Sequence, residues 1–268
     1  MVLKLYEQPI WVIGLILAVV LLLSMEVGAW NGRRLRRKSV NPKKAKNIAR
    51  NDLEVGAMLA LLGLMLAFSY SFGLSRLDLR KQALTNETNA IGTAFLRADL
   101  LPDPGRTELR RQLYEYAATR VLTDETSRRV SAIVNQIAAS RRAQAALWPT
   151  MKQALTPDVP GHVQMLTVQS INSIIDADTV RNAVGWDRFP VTVFAYLLAL
   201  VGLSIALAAQ NGERNRALSR PRIAVFALAL ASLIFIIVDF DNSLRGMIRV
   251  NQSALIDLIG EMRESVAL

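Results

Sequence analysis

The chain has 268 residues, 52% of them hydrophobic, with 32 Lys and Arg against 22 Asp and Glu, for a net charge of +10. It contains no cysteine, which excludes disulfides, thiolate metal sites and cysteine nucleophiles. Its single histidine, His162, stands in the loop PDVPGHV without the partners a metal site or proton relay needs, so neither a metal nor a cofactor is expected.

The apolar residues are gathered into four blocks of the length and purity of bilayer-spanning helices, rather than spread periodically as in a water-soluble domain. The first runs from Trp11 to about Trp30. These tryptophans are nineteen residues apart, or ~28 Å along a helix, close to the hydrocarbon thickness. Val27-Gly28-Ala29 resembles a signal cleavage site, but the basic cluster GRRLRRK follows at once and reads as the stop of an uncleaved anchor. The second span is about Val55 to Leu74. Gly56, Ala60, Gly63 and Ala67 put small residues on one side of it, which permits close helix packing within the chain or against a neighbouring subunit. At its far end Phe68, Ser69, Tyr70, Ser71 and Phe72 are candidates for a pore constriction or gate.

Residues 75–188 form the one sizeable non-membrane segment, nearly neutral with fifteen basic and twelve acidic residues, and helical in its spacing. Leu77, Leu84, Ile91 and Ala98 recur every seven residues, in a helix expected to continue directly from the second span and to stop at LLPDPG. The repeat suits either a bundle core or packing between subunits. Leu109, Leu113, Tyr116 and Ala117 mark the next helix. TDET offers a capping start at Thr123 or Asp124, and Val130, Ile133, Val134 and Ile137 make a third stripe. After the loop TPDVPG, a last helix carries Val163, Leu166, Ile171, Ile174 and Ile175. The third span follows at about Phe189–Gln210, with Pro190 in its first turn, and the fourth at about Ile223–Phe240 after Pro221. Residues 241–268 end in an amphipathic helix with Leu255, Leu258, Ile259 and Met262 on its apolar face, suited to docking or to lying on the membrane.

The expected fold is therefore all-α: spans one and two in residues 1–74, a helical extracytoplasmic domain in 75–188, spans three and four in 189–240, and a C-terminal helix in 241–268. Orientation follows from basic residues in short loops. Asn31–Glu54 holds nine and Asn211–Arg222 four, whereas the tails hold only Lys4 and Arg245, Arg249 and Arg263. The two loops are expected in the cytoplasm of a bacterial inner-membrane protein, with both termini and 75–188 outside. This also accounts for most of the positive charge. A basic loop tethered between two spans meets anionic lipid headgroups, and no nucleic-acid partner is expected.

Ionisable groups at the span edges are the remaining candidates. Glu26 reads either as a pore carboxylate or as a group reaching the interface to pair with Arg33. Asp239 and Asp241 read either as a cation-attracting pair at the outer mouth, helped by Asp176, or as an anchor for Arg76 or Arg80. Arg76, Asp78, Arg80, Asn86, Glu87, Asn89 and Arg97 on one helix, and Asn172, Asp176 and Arg181 on another, read as a buried polar network or as a solvated face. No GxSxG, HExxH, Walker or zinc spacing occurs, so no enzyme is expected.

Four segments taken in order, GAMLALLGLMLAFSYSFGLSRLDLRKQ, NETNAIGTAFLRADLLPDP, INSIIDADTVR and IVDFDNSLRGMIRVNQSALIDL, resemble the bacterial bestrophin-like family of membrane proteins from Glu26 to Leu258. Asn242-Ser243 stand where that family usually has Arg-Pro. The resemblance implies kinship with bestrophins, which are pentameric anion channels whose segment between the second and third spans is cytosolic, opposite to the side that the charge count gives here. A homo-oligomeric channel for inorganic ions, anionic by that resemblance, is the first expectation. A non-conducting sensor or scaffold whose outer helices bind a partner protein is the second.

Overall fold

The computed structural model describes residues 10–38, 44–123, 126, 130–215, 220–241 and 246–266. Lys4, Asp124, Asn242, Ser243 and Arg245 lie outside the described residues. Those described form helices and connecting turns: α1 (Ile10–Lys38), α2 (Lys44–Ala98), α3 (Gly105–Thr119), α4 (Val130–Ala154), α5 (Gly161–Trp186), α6 (Val191–Asn215), α7 (Arg220–Asp241) and α8 (Ser253–Val266). Four stretches are long and apolar enough to cross a membrane: Trp11–Arg37, Val55–Ala98, Gly161–Glu213 and Arg220–Asp241. Helix α2 has 55 residues, about 80 Å at 1.5 Å per residue, so only part of it fits a ~30 Å hydrocarbon layer.

The chain divides into two compact units, Met1–Ser75 with Arg188–Ile248, and Arg76–Asp187 with Arg249–Leu268. In the first unit α1 packs on α6 and α7. Ile13, Leu17, Leu21, Met25 and Ala29, four residues apart, form a ridge against Leu197, Val201, Ile205 and Ala209 of α6 and against Ala227, Ile234 and Ile237 of α7. Their closest approach is backbone to backbone. A Cβ built on Gly28 would lie 2.0 Å from the Ala206 carbonyl oxygen, and one on Gly32 would lie 2.5 Å from that of Gln210. Only glycine fits there, and the neighbouring Asn31 donates to Gln210 Oε1 at 3.1 Å. Hydroxyls in these apolar helices bond back to their own turn, Ser204 to the Leu200 carbonyl at 2.7 Å and Ser24 to that of Val20 at 3.0 Å, so they bring no unsatisfied donor.

The second unit is a helical bundle. Leu84, Ile91, Phe95 and Ala98 of α2 meet Leu109, Leu113, Tyr116 and Ala117 of α3, Leu147 and Met151 of α4, and Val163, Ile171 and Ile174 of α5. The seven-residue repeat of α2 is thus spent on the chain's own core, with Leu77 also buried. Helix α4 differs from the sequence expectation. Val134 is exposed and Ile133 and Ile137 only half-buried, while Leu147 and Met151, one turn apart near the other end, fill the core. Thr123 Oγ1 accepts from the Thr126 amide at 3.2 Å. The C-terminal helix is not a free docking face. Leu255 and Met262 of α8 are buried in the bundle with Leu258 and Ile259 packed beside them, and Gln252 Nε2 donates to the Leu122 carbonyl at 2.9 Å.

Candidate functional site

The apolar part of α2 is the least covered of the four candidate spans, with 17% of its most apolar stretch buried against 33%, 33% and 44% for the others. It touches its own unit along one face, through Leu62, Leu66, Ser69 and Gly73. The small residues Gly56, Ala60, Gly63 and Ala67 lie on another face and are exposed. A Cβ on Gly56 or Gly63 would meet nothing within 4 Å. Close packing inside the chain is therefore the work of Gly28 and Gly32, and the small face of α2 is open.

The aromatic end of this helix divides in two. Ser69 is buried, and Tyr70 lies edge-on to Phe240 with ring centroids 5.4 Å apart, so both serve the chain's own packing. Phe72 is edge-on to Phe189 at 5.5 Å yet remains 44% exposed. Phe68, 64% exposed, and Ser71 point away from the unit. Of the five constriction candidates, Phe68, Ser71 and the outer edge of Phe72 are open to a neighbour or a lumen.

The charged candidates also find definite places. Glu26 is exposed, and no ion pair involves it among the described residues. The partner expected for it, Arg33, instead meets Glu213 at 3.3 Å, and Arg220 meets the same carboxylate at 2.8 Å. A basic group two turns from Glu26 along α1 is better placed to reach across to α6 than back along its own helix. Asp239, 2% exposed, accepts from the amides of Met247 at 2.7 Å and Ile248 at 2.8 Å. Asp241 accepts from the Phe189 amide at 2.9 Å. Within their unit these carboxylates fasten the chain where α7 ends and where α6 is about to begin. Asp239→Ala removes two hydrogen bonds from part-buried amides to a charged group, an expected loss of about 1.5–3 kcal/mol. This is measurable as a lower thermal midpoint and faster proteolysis around residue 247.

In the second unit a charged network closes on Glu87, which is fully buried. Its carboxylate accepts from Tyr116 Oη at 2.7 Å, Arg181 Nη1 at 2.5 Å and Arg120 Nη2 at 3.2 Å. Arg120 also pairs with Asp178 at 2.9 Å and donates to Ser140 Oγ at 3.0 Å. Gln144 Nε2 donates to Asp178 at 3.1 Å. One carboxylate therefore joins α2, α3 and α5 and the residue that ends α3, and Asp178, Ser140 and Gln144 extend the network to α4. Burial, then the neighbouring Glu87 charge, push the Tyr116 phenol far above its ordinary pKa, so it stays a donor. For Arg120 burial works against the charge, but Glu87, Tyr116 and Asp178 together raise its pKa above the usual value.

Of the residues expected in this network, Glu87 and Arg181 are in it. Arg97 bonds separately to Ser170 Oγ at 2.9 Å and the Leu166 carbonyl at 3.2 Å. Arg76 meets Asp187 at 3.1 Å, and Arg80 donates to the carbonyls of Val184 at 3.2 Å and Asp187 at 2.9 Å. Asp78 forms an exposed pair with Lys81 at 3.5 Å. Asn86, Asn89, Asn172 and Asp176 are exposed and outside it. Tyr116, Arg120, Ser140, Gln144 and Asp178 are the members that spacing on two helices alone did not show.

The family model of the Bestrophin-like domain matches residues 27–255. The chain belongs to the Bestrophin-like family. No curated protein sequence matches it. Solved structures do. A bacterial bestrophin homologue from Klebsiella pneumoniae, in a tryptophan-to-alanine variant, is similar at TM-score 0.70 and 10% identity, over 95% of this chain and 97% of that one. A leucine-to-threonine variant gives 0.65 and 13%, over 96% and 98%. The structure of that homologue phased on zinc gives 0.58 and 12%, over 96% and 98%. The bestrophin-like chain thus has the bacterial bestrophin fold along nearly its whole length at very low identity.

Proposed function

We propose that this bestrophin-like protein is a homo-oligomeric ion channel of the bacterial inner membrane, with the apolar part of α2 nearest the symmetry axis. The observation that carries the reading is the bare face of α2. It is the least covered of the four spans, and small residues and Phe68 stand exposed on it. One chain of four spans encloses little space, so conduction requires several copies, and a helix left open on its small face is suited to meeting them. Phe68 and Phe72 then form the narrowest part, gating by dewetting, and the bundle of residues 75–188 surrounds a vestibule.

The permeant ions are anions by kinship with bestrophins. Asp239 and Asp241, the acidic pair that argued for cations, accept from backbone amides of their own unit. The scaffold alternative loses its docking tail, because the apolar face of α8 is occupied by the chain's own core.

Positive charge in the loops 31–54 and 211–222 favours a cytoplasmic position for both, against anionic headgroups, with 75–188 and the termini outside. Bestrophin kinship favours the opposite side for 75–188. Protease added to intact spheroplasts separates the two, cutting near Pro157 only if the charge rule prevails. Conduction itself is tested with purified protein in liposomes under salt gradients. Flux that depends on the protein supports a channel, and vesicles that stay tight to chloride, nitrate, sodium and potassium contradict it.

A further inference from the structure

Within the first unit, the end of α1 comes together with the end of α6 and the start of α7. Residues 30–37, 209–213 and 220–222 carry six arginines and one carboxylate, Glu213. Glu213 meets Arg33 at 3.3 Å and Arg220 at 2.8 Å, and its backbone carbonyl accepts from Arg36 Nη1 at 3.3 Å. Arg34 and Arg37 are exposed and make no ion pair among the described residues. The Arg34 guanidinium instead lies over the Trp30 ring, 5.6 Å from its centroid. Trp30, Arg34 and Arg37 continue a row that begins deeper in the span. Val20, Leu23, Val27, Trp30, Arg34 and Arg37 follow at alternating spacings of three and four residues, which puts them on one face of α1. All six are exposed, and the exposed Glu26 stands off the row.

Cations at the end of a span orient it and answer the carbonyls of a helix C-terminus, and lysine serves both purposes. Lysine does stand in the same loop, at Lys43, Lys44 and Lys46. Residues 30–37 use arginine alone. A guanidinium is planar and holds its N–H groups in a fixed fork that matches two phosphate oxygens, which an ammonium does not. It is also weakly hydrated, so an indole can hold its plane and leave the N–H edge free. Glu213 meanwhile fixes Arg33 and Arg220 and leaves positive charge in excess. From Trp30 down to Val20 is ten residues, about 15 Å of helix, half of a ~30 Å hydrocarbon layer. The row therefore presents, in order, one leaflet's depth of apolar surface, an interfacial indole and two guanidinium groups. A phospholipid presents acyl chains, glycerol and phosphate in the same order.

We infer that this row of α1 binds one anionic phospholipid, with its phosphate on Arg34 and Arg37 and its acyl chains along Trp30, Val27, Leu23 and Val20. The surplus of positive charge selects a headgroup without a cation of its own, phosphatidylglycerol over phosphatidylcholine. Such a site narrows to two arginines the headgroup contact expected of the basic loop, and it rests on that reading rather than on conduction.

The test titrates the full protein in detergent with phosphatidylglycerol or phosphatidylcholine and counts bound lipid by native mass spectrometry, with inorganic phosphate as competitor. Three variants are compared with the wild type: Arg34→Gln with Arg37→Gln, Arg34→Lys with Arg37→Lys, and Lys43→Gln with Lys44→Gln and Lys46→Gln. Both arginines are exposed, so their replacement should leave the fold intact. The wild type is expected to retain one phosphatidylglycerol per chain and to hold phosphatidylcholine about tenfold more weakly or worse. Both arginine variants should weaken phosphatidylglycerol by about tenfold or more, and the triple lysine variant by less than about threefold. An equal loss in the lysine variant overturns the site while leaving a diffuse headgroup contact. Wild-type affinity in the Arg-to-Lys variant overturns the guanidinium fork. Inorganic phosphate that displaces the lipid at equal concentration overturns the lipid as occupant. Phosphatidylglycerol and phosphatidylcholine held alike by the wild type overturn the site together with the headgroup reading.

Discussion

Glu87→Gln is expected to cost the second unit roughly 3–5 kcal/mol, the range found when one partner is removed from a buried ion pair. The substitution keeps the shape and the Tyr116 contact but removes the one negative charge that, among the described residues, meets both Arg120 and Arg181. Arg120 retains Asp178. Arg181 retains the Arg120 carbonyl at 3.1 Å, which does not neutralise it. The loss should appear as a much lower thermal midpoint in detergent, with far smaller yields of folded protein. Asp176→Asn, an exposed carboxylate on the same helix as Arg181, should change stability by no more than about 0.5 kcal/mol. Equal effects of the two substitutions would mean that Glu87 is not the hub.

Gly28→Val should be as damaging to the first unit as Gly63→Val is harmless to it. The new Cβ at position 28 would lie 2.0 Å from one backbone oxygen and 2.7 Å from two backbone carbons of Ala206. Neither helix can yield by moving a side chain. α1 and α6 must separate, and the contacts of Leu21, Met25 and Ala29 are lost with them. Overpacking of this kind costs about 1–3 kcal/mol or more, and a clash of backbone with backbone belongs at the upper end. Gly63 has open space around it, and valine is the better helix former. Gly63→Val should therefore leave the thermal midpoint of the chain unchanged while lowering the fraction of oligomer in native mass measurements. A variant at position 63 that assembles like the wild type would remove the small face of α2 from the subunit contact.

Much of the fold was legible because the bilayer imposes it. Four apolar blocks of membrane length have few other fates, and the bundle stripes on α2, α3 and α5 emerged at the expected residues. What was missed is informative. In α5 the buried residues Ile171 and Ile174 already define a face, and steps of four and three carry it to Asp178 and Arg181, whereas Asn172 and Asp176 fall on the other side. Helical spacing among the polar residues alone, without reference to the face that the apolar residues fix, points to Asp176 rather than Asp178. The same rule on α2 places Glu87 between Leu84 and Ile91 and turns Asn86 and Asn89 outward. Arg120 and Tyr116 were hidden for another reason. They lie in and just beyond α3, and only the folded bundle brings them to Glu87.

The Gly28-x-x-x-Gly32 spacing is present in the sequence too, overlapping the cleavage-like Val27-Gly28-Ala29, but the spacing alone does not say which helix it meets. For Asp239 and Asp241 the sequence showed two acids at a helix end and nothing of the amides they accept from. Those amides belong to Phe189, Met247 and Ile248, and the first is supplied from a different part of the chain.

Current through single assemblies in a planar bilayer tests most directly whether copies of α2 surround an ion path. The wild-type protein should give discrete unitary steps, and Phe68→Ala, by shortening the exposed aromatic that narrows the path, should enlarge them or prolong the open state. A flat baseline from correctly assembled protein, or steps indifferent to Phe68 and Phe72 alike, would contradict it.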